Sequence, residues 1–446
     1  MVEIMTVEDI AGWDEDLQAL TDGLGWLFNR PEPRVTLGLM VRGLLADVAK
    51  KNSWGLAEHL GLATPQPLEH LLGGARWDAD VLRDAVRGYV LRGLADPGGA
   101  LVLDDTQVIK KGTKSVGVAP QHCGLTGQTE NCQVMVMLSY ASRHGHAFID
   151  RALYLPQVWT TDPQRCRSAG VPADVEFVTK PHQGMAMLKR ALADAALVFS
   201  WFVADSGYGR DPVLRTFCHD NLVSYVLAVP VDLPLLDVYG KPLRPDAVLG
   251  DTPDTAWERR SAGEGSKGQR FYDWAAHTVT VKDQPAAAGY EHTLLIRRAR
   301  TAKVTKKHPD GIYEIEYFLV HARTGTRIPA MIGAAGLRWN IEDDNKTGKD
   351  LLGLDQYQVR NWTPWHRHVS ICMLAHAFLA VTRAGLGKDH QPPSTPPIHR
   401  PRRSSSATAS PRSVACSPPP SSPATSSTTA PPSPETYGDA LTKLGP

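Results

Sequence analysis

The sequence predicts an α/β protein with helices on the faces of a sheet, on three observations. A helical texture gives way at Gly98-Gly99 to apolar runs of strand length. The first run, ALVLDD (100–105), precedes two strand-like segments separated by the turn Arg143-His144-Gly145. The pattern then becomes helix, strand, helix, strand, the alternation that packs helices against a sheet.

Each element has its own justification. In the first 98 residues, Leu17, Leu20, Leu24, Leu27 and Phe28 recur near a 3.6-residue period. Leu37, Val41, Leu44, Leu45 and Val48 do so again behind Pro31 and Pro33. A short segment, SWGLAEHLG, ends at Gly61, and Thr64-Pro65 offers an N-cap and first-turn pair. Trp77-Asp78 precedes a helix carrying Val81, Leu82, Val86, Val90 and Leu91. Short helices with tight turns suit a DNA-docking bundle of the helix-turn-helix kind, and suit many other purposes equally.

Past the glycines, NCQVMVMLSYA is nearly continuous in apolar residues, as an interior strand of a covered sheet would be. HAFIDRALYL, VFSWFVAD and SYVLAVP read as further strands, with PHQGMAMLKRALADA and PVLRTFCHDN as helices between them. Gly, Pro and Asp then break the pattern into short strands and loops. Apolar continuity returns with IYEIEYFLVHA, a helix near RWNIEDDNK and the apolar helix HVSICMLAHAFLAVTRA, whose 371–380 stretch reads as core. The expected organisation is a helical segment over 1–98, the first part of a core over 99–230 and a β-rich insertion over 231–310. The second part of the core follows over 311–388, then a disordered tail over 389–446.

Charge is close to balanced, 48 Lys+Arg against 47 Asp+Glu, which removes a strongly basic pI as an argument for nucleic acid. From Gln391 onward, 33 of 56 residues are Pro, Ser or Thr, too polar to offset the entropy of ordering them. That tail holds 5 basic and 2 acidic residues, leaving the other 390 with 43 against 45, formally −2. A DNA reading must therefore rest on where charges sit. The acidic N-terminus has no apolar run of signal-peptide length, and the longest apolar stretches are strand-sized, so a cytoplasmic protein without a membrane partner is expected. The cysteines at 123, 132, 166, 218, 372 and 416 lack a CxxC pair and read as free thiols. His122-Cys123 and His144 with His146 are isolated pairs without the partner set of a structural zinc site.

Three acids stand at the expected ends of apolar elements or on the late helix. Asp104, with Asp105, closes ALVLDD; Asp205 closes VFSWFVAD ahead of SGYG, whose glycines permit close approach; Glu342 lies on the helix around RWNIEDDNK. Ligand sites of open α/β sheets gather at strand ends, and converging carboxylates bind hard cations such as Mg²⁺. Taken singly, a strand-end Asp is more often a cap, and Glu342 with Asp343 and Asp344 reads as a solvated helix face. Arg338, Glu342 and Lys349 fall at i, i+4 and i+11, on one side of a helix, where a metal-binding acid between two phosphate-gripping cations and an ordinary surface ion pair are both readable. Basic character is concentrated at Lys110, Lys111 and Lys114, and at Arg297, Arg298 and Arg300 with Lys303, Lys306 and Lys307. Tyr272, Trp274, Tyr313 and Tyr317 flank the second run, for stacking on an unpaired base or for packing.

The strings LDDTQVIKKG, VGVAPQHCGLTGQTENCQV, GHAFIDRALYLP, ADSGYG, AGEGSKGQRFYDWA and GLDQYQVRNWTPWHRHVSICMLAHAFL together resemble DDE transposases of the IS701 group of bacterial insertion sequences, over roughly residues 15–385. The resemblance implies an RNase H-like catalytic core, interrupted before its last acid by a β-rich insertion as in the IS4-like superfamily. It makes Asp104, Asp205 and Glu342 the catalytic, metal-binding acids. It retains Arg338, Glu342 and Lys349 of the related Tyr-x2-Arg-x3-Glu-x6-Lys signature, with Ala335 in the tyrosine position. The EDDNKTGK stretch also departs from the usual form after the glutamate, by lacking its aromatic residue, and the Ser/Pro tail departs from the family's compact end.

The implied activity is cleavage of element-end DNA and strand transfer to target DNA, using two Mg²⁺ ions or Mn²⁺ in their place. Phosphate oxygens would be held by Arg338 and Lys349, with Lys110, Lys111, Lys114, Arg297, Arg298 and Arg300 as further DNA contacts. The implied partners are double-stranded DNA, as terminal inverted repeats and target, and a second copy of the chain, since two ends are joined; nucleoid association follows when DNA is bound. A nuclease on the same core, and a non-catalytic element-end binding protein, are the competing classes.

Overall fold

The computed structural model describes residues 7–265, 268–305 and 308–386. The tail expected over 389–446, with Cys416, Lys306 and Lys307, lies outside these residues. Five helices come first: α1 (Val7–Gly23), α2 (Pro31–Leu45), α3 (Ser53–His59), α4 (Gln66–Glu69) and α5 (Ala79–Leu94). Asn52 and Asp78 cap α3 and α5 with side-chain oxygens. Thr64-Pro65 sits one residue early, since Pro65 itself is the cap of α4. The predicted periodic residues turn inward; Leu17, Leu24, Leu37, Leu44, Leu82 and Val86 are fully buried, while Val48 lies beyond the end of α2.

The middle of the chain runs β1 (Ala100–Ile109), β2 (Ala119–Cys123), β3 (Gln128–Ser142), β4 (Gly145–Tyr154), α6 (Gln157–Thr160), α7 (Pro163–Ser168) and α8 (Lys180–Leu192). It continues through β5 (Trp201–Ala204), α9 (Ser206–Gly209), α10 (Pro212–Asp220), β6 (Tyr225–Val229), β7 (Leu235–Leu236), β8 (Pro242–Leu243) and α11 (Pro245–Asp251). The last part holds β9 (Glu258–Gly265), β10 (Gly268–Val281), β11 (Tyr290–Arg298), β12 (Lys303–Thr305), β13 (His308–Ile312), β14 (Ile315–Arg323), α12 (Ile328–Asp350) and α13 (Trp362–Leu386). The fold is mixed α/β.

Among the described residues, twelve strands share one sheet in the order β2-β3-β1-β5-β6-β14-β11-β10-β7-β8, with β4 on β3 and β9 on β10. β1 and β3 pair antiparallel, whereas β1, β5 and β6 run parallel. The segment expected to be an insertion of short strands contains two long ones, β10 and β11, which extend the main sheet through β14. One continuous set of buried side chains joins α1–α5 to the sheet and to α13. A second set, with Trp274, Leu295, Phe318, Met331 and Ile332, seats the first half of α12 on the added strands.

Two expectations are corrected. β1 does not stop at its acids, because β3 continues to pair with it as far as Ile109. Nor are all apolar stretches strand-sized. Helix α13 has an 18-residue window of mean hydropathy 1.6, long and apolar enough to cross a membrane by composition, yet 67% of that window is buried inside the protein. It serves as a core helix, and Ile371 to Leu379 are buried along it.

Where β6, β14 and β11 lie side by side, Tyr225, His321 and His292 stand opposite one another. His219 of α10 closes the group, stacking on His321 at 4.2 Å and reaching the Tyr225 hydroxyl at 3.1 Å and His292 Nε2 at 3.3 Å. Burial, with His321 and Arg215 nearby, brings His219 down to about 4. Burial, then His219, His321 and Arg215, bring His292 to about 3. These bases remain neutral in the folded state while the unfolded chain takes up protons below pH 6.5, so their contribution is intact above pH 6.5 and is lost as the pH falls toward 4. Thermal melts should show a steep loss of stability over that range. His292→Gln should reduce the loss between pH 6.5 and 4.5 by about 2 kcal/mol; a variant curve parallel to wild type would refute the assignment.

Candidate active site

The parallel register of β1 and β5 ends at Leu103 opposite Ala204. Asp104 continues β1 and Asp205 follows the last residue of β5, at a point where neighbouring strands are about 4.8 Å apart. Alternation along β1 sends Asp104 and Asp105 to opposite faces. Asp105 turns to α8, accepting from Lys180 Nζ at 2.7 Å and Gln107 Nε2 at 2.5 Å. Asp104 turns to α12, and its Oδ1 accepts the Asp105 N–H at 2.7 Å. Burial raises its carboxyl to about 7, aided by the charges of Asp205 and then Asp105, with Arg338 and the Asp105 N–H opposing.

Asp205 caps α9, as the residue type alone suggested: Oδ1 accepts from the N–H of Gly207 at 2.9 Å and of Tyr208 at 3.3 Å. Capping fixes the carboxylate beside the end of β1, so cap and candidate ligand are one arrangement. Within SGYG, Gly209 is required by close approach, because a Cβ there would lie 1.9 Å from the Ala228 carbonyl. Tyr208 is a residue that sequence reasoning passed over. Its hydroxyl is buried without a hydrogen-bond partner, and burial together with Asp105, Asp104 and Asp205 raises it well above the ordinary phenol value. The only signal was its place inside ADSGYG.

Helix α12 delivers the third acid. Arg338 and Glu342, at i and i+4, form an ion pair of 2.8 Å. Burial works against the Arg338 charge, but Glu342, Asp104, Glu316 and Asp205 outweigh it and raise the guanidinium further. Arg338 is thus paired with Glu342 and within electrostatic reach of both strand-end acids. A cavity of about 310 Å³ opens beside the pair, lined by Arg270, Tyr272, Arg297, Ala335, Trp339 and Glu342 among others. The small side chain of Ala335 helps leave this space open. Glu342 is exposed, but Asp344, read with it as solvated, is 0% exposed and hydrogen-bonded to Ser139.

The predicted cations separate by environment. Arg297 pairs with Glu316 at 2.8 Å and lies over the Tyr272 ring at 4.3 Å, in the cavity wall. Arg298 lies over Trp257 at 4.1 Å. Lys349 points inward: its Nζ donates to the Gln107 carbonyl of β1 at 3.0 Å, and burial lowers its pKa. The helix remains regular through Gly348. Lys110 also folds in, over the Tyr357 ring at 3.7 Å and onto the Tyr357 carbonyl at 3.1 Å, with burial lowering it to about 8. Lys111, Lys114 and Arg300 are exposed. Of the aromatics, Trp274 and Tyr317 are buried core residues, Tyr313 is exposed, and Tyr272 lines the cavity.

Among the described residues no three His, Cys, Asp or Glu side chains lie close enough to hold a metal ion. The fold therefore brings Asp104 and Asp205 together, while Arg338 holds Glu342 in the ion pair. The strand-end pair suits a hard cation in its chemistry: oxygen donors of which Asp104 is raised to about 7 first by burial and then by the like charges beside it, with Arg338 as the opposing charge.

A family model described as DDE superfamily endonuclease matches residues 24–284. That span contains Asp104 and Asp205 and ends before Glu342. A probable transposase for insertion sequence element IS701 from Microchaete diplosiphon is 28% identical over 188 residues, covering 42% of this chain and 46% of that protein. The chain thus aligns with less than half the length of that relative.

The strained pair predicts a gain in stability on neutralisation. In metal-free buffer at pH 8, where Asp104 carries its charge in both states, Asp104→Asn should raise Tm by about 2 °C or more. Because a raised carboxyl costs stability only above its unfolded pKa, the gain should shrink as the pH falls from 8 to 5. A lower Tm for the variant at pH 8 would contradict this account.

Proposed function

Because the chain belongs to the DDE superfamily endonuclease family, we propose that it is a DNA transposase that cuts the ends of an insertion element and joins them to target DNA. The observation that carries the reading is the placement of Asp104 and Asp205 just past the last register pair of β1 and β5, with Arg338 paired with Glu342 and within electrostatic reach of both. The strand order β4-β3-β1-β5-β6, with an antiparallel start and a parallel end, supports the RNase H-like core that the resemblance implies.

In this reading Asp104 and Asp205 hold Mg²⁺ or Mn²⁺, and Glu342 completes the set when Arg338 exchanges it for a phosphate oxygen. A divalent cation bound there lowers the pKa of an attacking water or 3′-hydroxyl and offsets charge on the departing oxygen. The chain's own groups orient the substrate. Arg338 meets phosphate in the bidentate manner of a guanidinium, beside a cavity whose wall includes Arg270 and Arg297. Lys111, Lys114 and Arg300 supply exposed positive charge for the duplex. Lys110 and Lys349 brace the wall instead, through Tyr357 and Gln107. The DNA partners are terminal inverted repeats and a target duplex, and joining two ends calls for a homodimer on DNA.

The test is cleavage and joining on the element's own terminal repeats. Asp104→Ala, Asp205→Ala and Glu342→Gln should each lose several kcal/mol of transition-state stabilisation, at least about 100-fold in Mg²⁺-dependent cleavage. Salt-sensitive DNA binding should persist in all three. A variant that still cleaves removes its residue from the set. Cleavage without a joined product would mark a nuclease on the same core, and specific end binding without cleavage in Mg²⁺ or Mn²⁺ would mark a binding protein.

A further inference from the structure

Helix α12 carries a second acid whose surroundings do not fit a surface role. Asp344 lies two residues beyond Glu342 and is 0% exposed. Its Oδ2 accepts from Ser139 Oγ at 2.5 Å, and its Oδ1 lies 2.6 Å from His146 Nδ1 and 3.4 Å from His376 Nε2. These partners come from β3, the start of β4 and α13, so one carboxylate ties α12 to three elements. His146 Nε2 also stands 3.9 Å from Asp343. The His144–His146 pair, which the sequence left without the partner set of a zinc site, divides its work, His146 serving this carboxylate and His144 lying 3.7 Å from Asp96.

Resting on the function proposed above, we propose that Asp344 is the positioning residue of the catalytic-glutamate helix. With Ser139, His146 and His376 it forms a buried clamp that fixes the rotation and depth of α12, and so sets where Arg338 and Glu342 stand against Asp104 and Asp205. Two further features converge on the same stretch. The β3–β4 register shifts between Leu138 and Ser139, the kind of irregularity that re-aims a side chain out of its ladder. One turn beyond Asp344, a Cβ on Gly348 would come 3.0 Å from Leu354 and 3.4 Å from Phe148, so the helix lies tight against β4 there. Phe148 packs on the His376 ring at 5.0 Å, closing the group.

The physical case is one of specificity rather than stability. Burying a carboxylate is costly unless it is paired and hydrogen-bonded, and a well-packed apolar residue would hold two elements together as firmly. What the carboxylate adds is direction, since its partners accept only one rotation of the helix. A 20° rotation moves a group at a helix surface by roughly 2 Å, and a misplacement of about 1 Å at a reacting centre costs on the order of 100-fold in rate. Seating Glu342 within that tolerance on a helix that also runs along the added strands calls for such a constraint.

The test uses the full chain with Asp344→Asn, and Ser139→Ala as a milder change should the first fail to fold. Hydrogen exchange on metal-free protein should show amides over 338–346 exchanging at least tenfold faster, with the middle of α13 unchanged. On element-end DNA, cleavage per folded molecule should fall about 100-fold, the Mg²⁺ concentration for half-maximal cleavage should rise about tenfold, and DNA affinity should stay within threefold. A variant with lower Tm but unaltered Mg²⁺ dependence and rate would reduce Asp344 to a structural residue. Unaltered exchange in α12 would overturn the clamp outright. If the unsubstituted chain fails to cleave, the functional reading fails alone, and the exchange arm still judges the clamp.

Discussion

The unequal pairing of β1 is the constraint on which the candidate site depends. One edge is held by ten register pairs with β3 and the other by four with β5. Where β5 ends, β1 remains rigidly extended with one edge open. A carboxylate at that point is positioned by a full ladder on one side, with no strand partner on the other. Asp104 is the first residue to gain this freedom, and Asp205, fixed by its capping bonds, is the first to lose its strand. Both acids owe their place to the same strand end, across a chain separation of about 100 residues.

This arrangement stores repulsion. The two carboxylates, with Asp105 behind, would be expelled toward water in a flexible loop, but the ladder and the cap hold them. Arg338, paired with Glu342, relieves the conflict through its charge. The same guanidinium therefore stabilises the resting site and competes for the acid that would complete a cation's ligand set. Anything that draws Arg338 away, a phosphate oxygen above all, changes the charge felt by all three acids at once. In the proposed function, substrate would couple to the acid cluster through this charge placement.

Much of this was legible in residue order because it depends on local pattern. Apolar runs marked the strands, Asp78 marked the start of α5, and ADSGYG marked a strand-end acid followed by glycines that permit close approach. What escaped depends on partners distant in sequence. β1 looked finished at Asp105 because acids usually end strands, yet β3 pairs past them. Asp344 looked solvated beside Glu342 and Asp343, because nothing in EDD shows that Ser139, His146 and His376 will surround its carboxylate. The long strands β10 and β11 looked like fragments, since Gly, Pro and Asp break the pattern around them.

The positive charges make the same point with consequences for DNA. A basic run counts as a footprint only for charges that remain uncommitted in the fold, and here several are committed. Lys110 and Lys349 are pulled to carbonyls and an aromatic face, Arg297 is paired with Glu316, and Arg298 covers Trp257. Exposed charge at Lys111, Lys114 and Arg300 is sparse for a duplex-binding face, where each neutralised phosphate contributes to affinity through released counterions. A core with a formal charge near zero and so few uncommitted cations from these runs among the described residues would grip DNA weakly by electrostatics alone. In the proposed function, affinity for element ends would then draw on shape and base contacts, and the helices α1–α5, built into the same core as the sheet, offer one rigid surface for them.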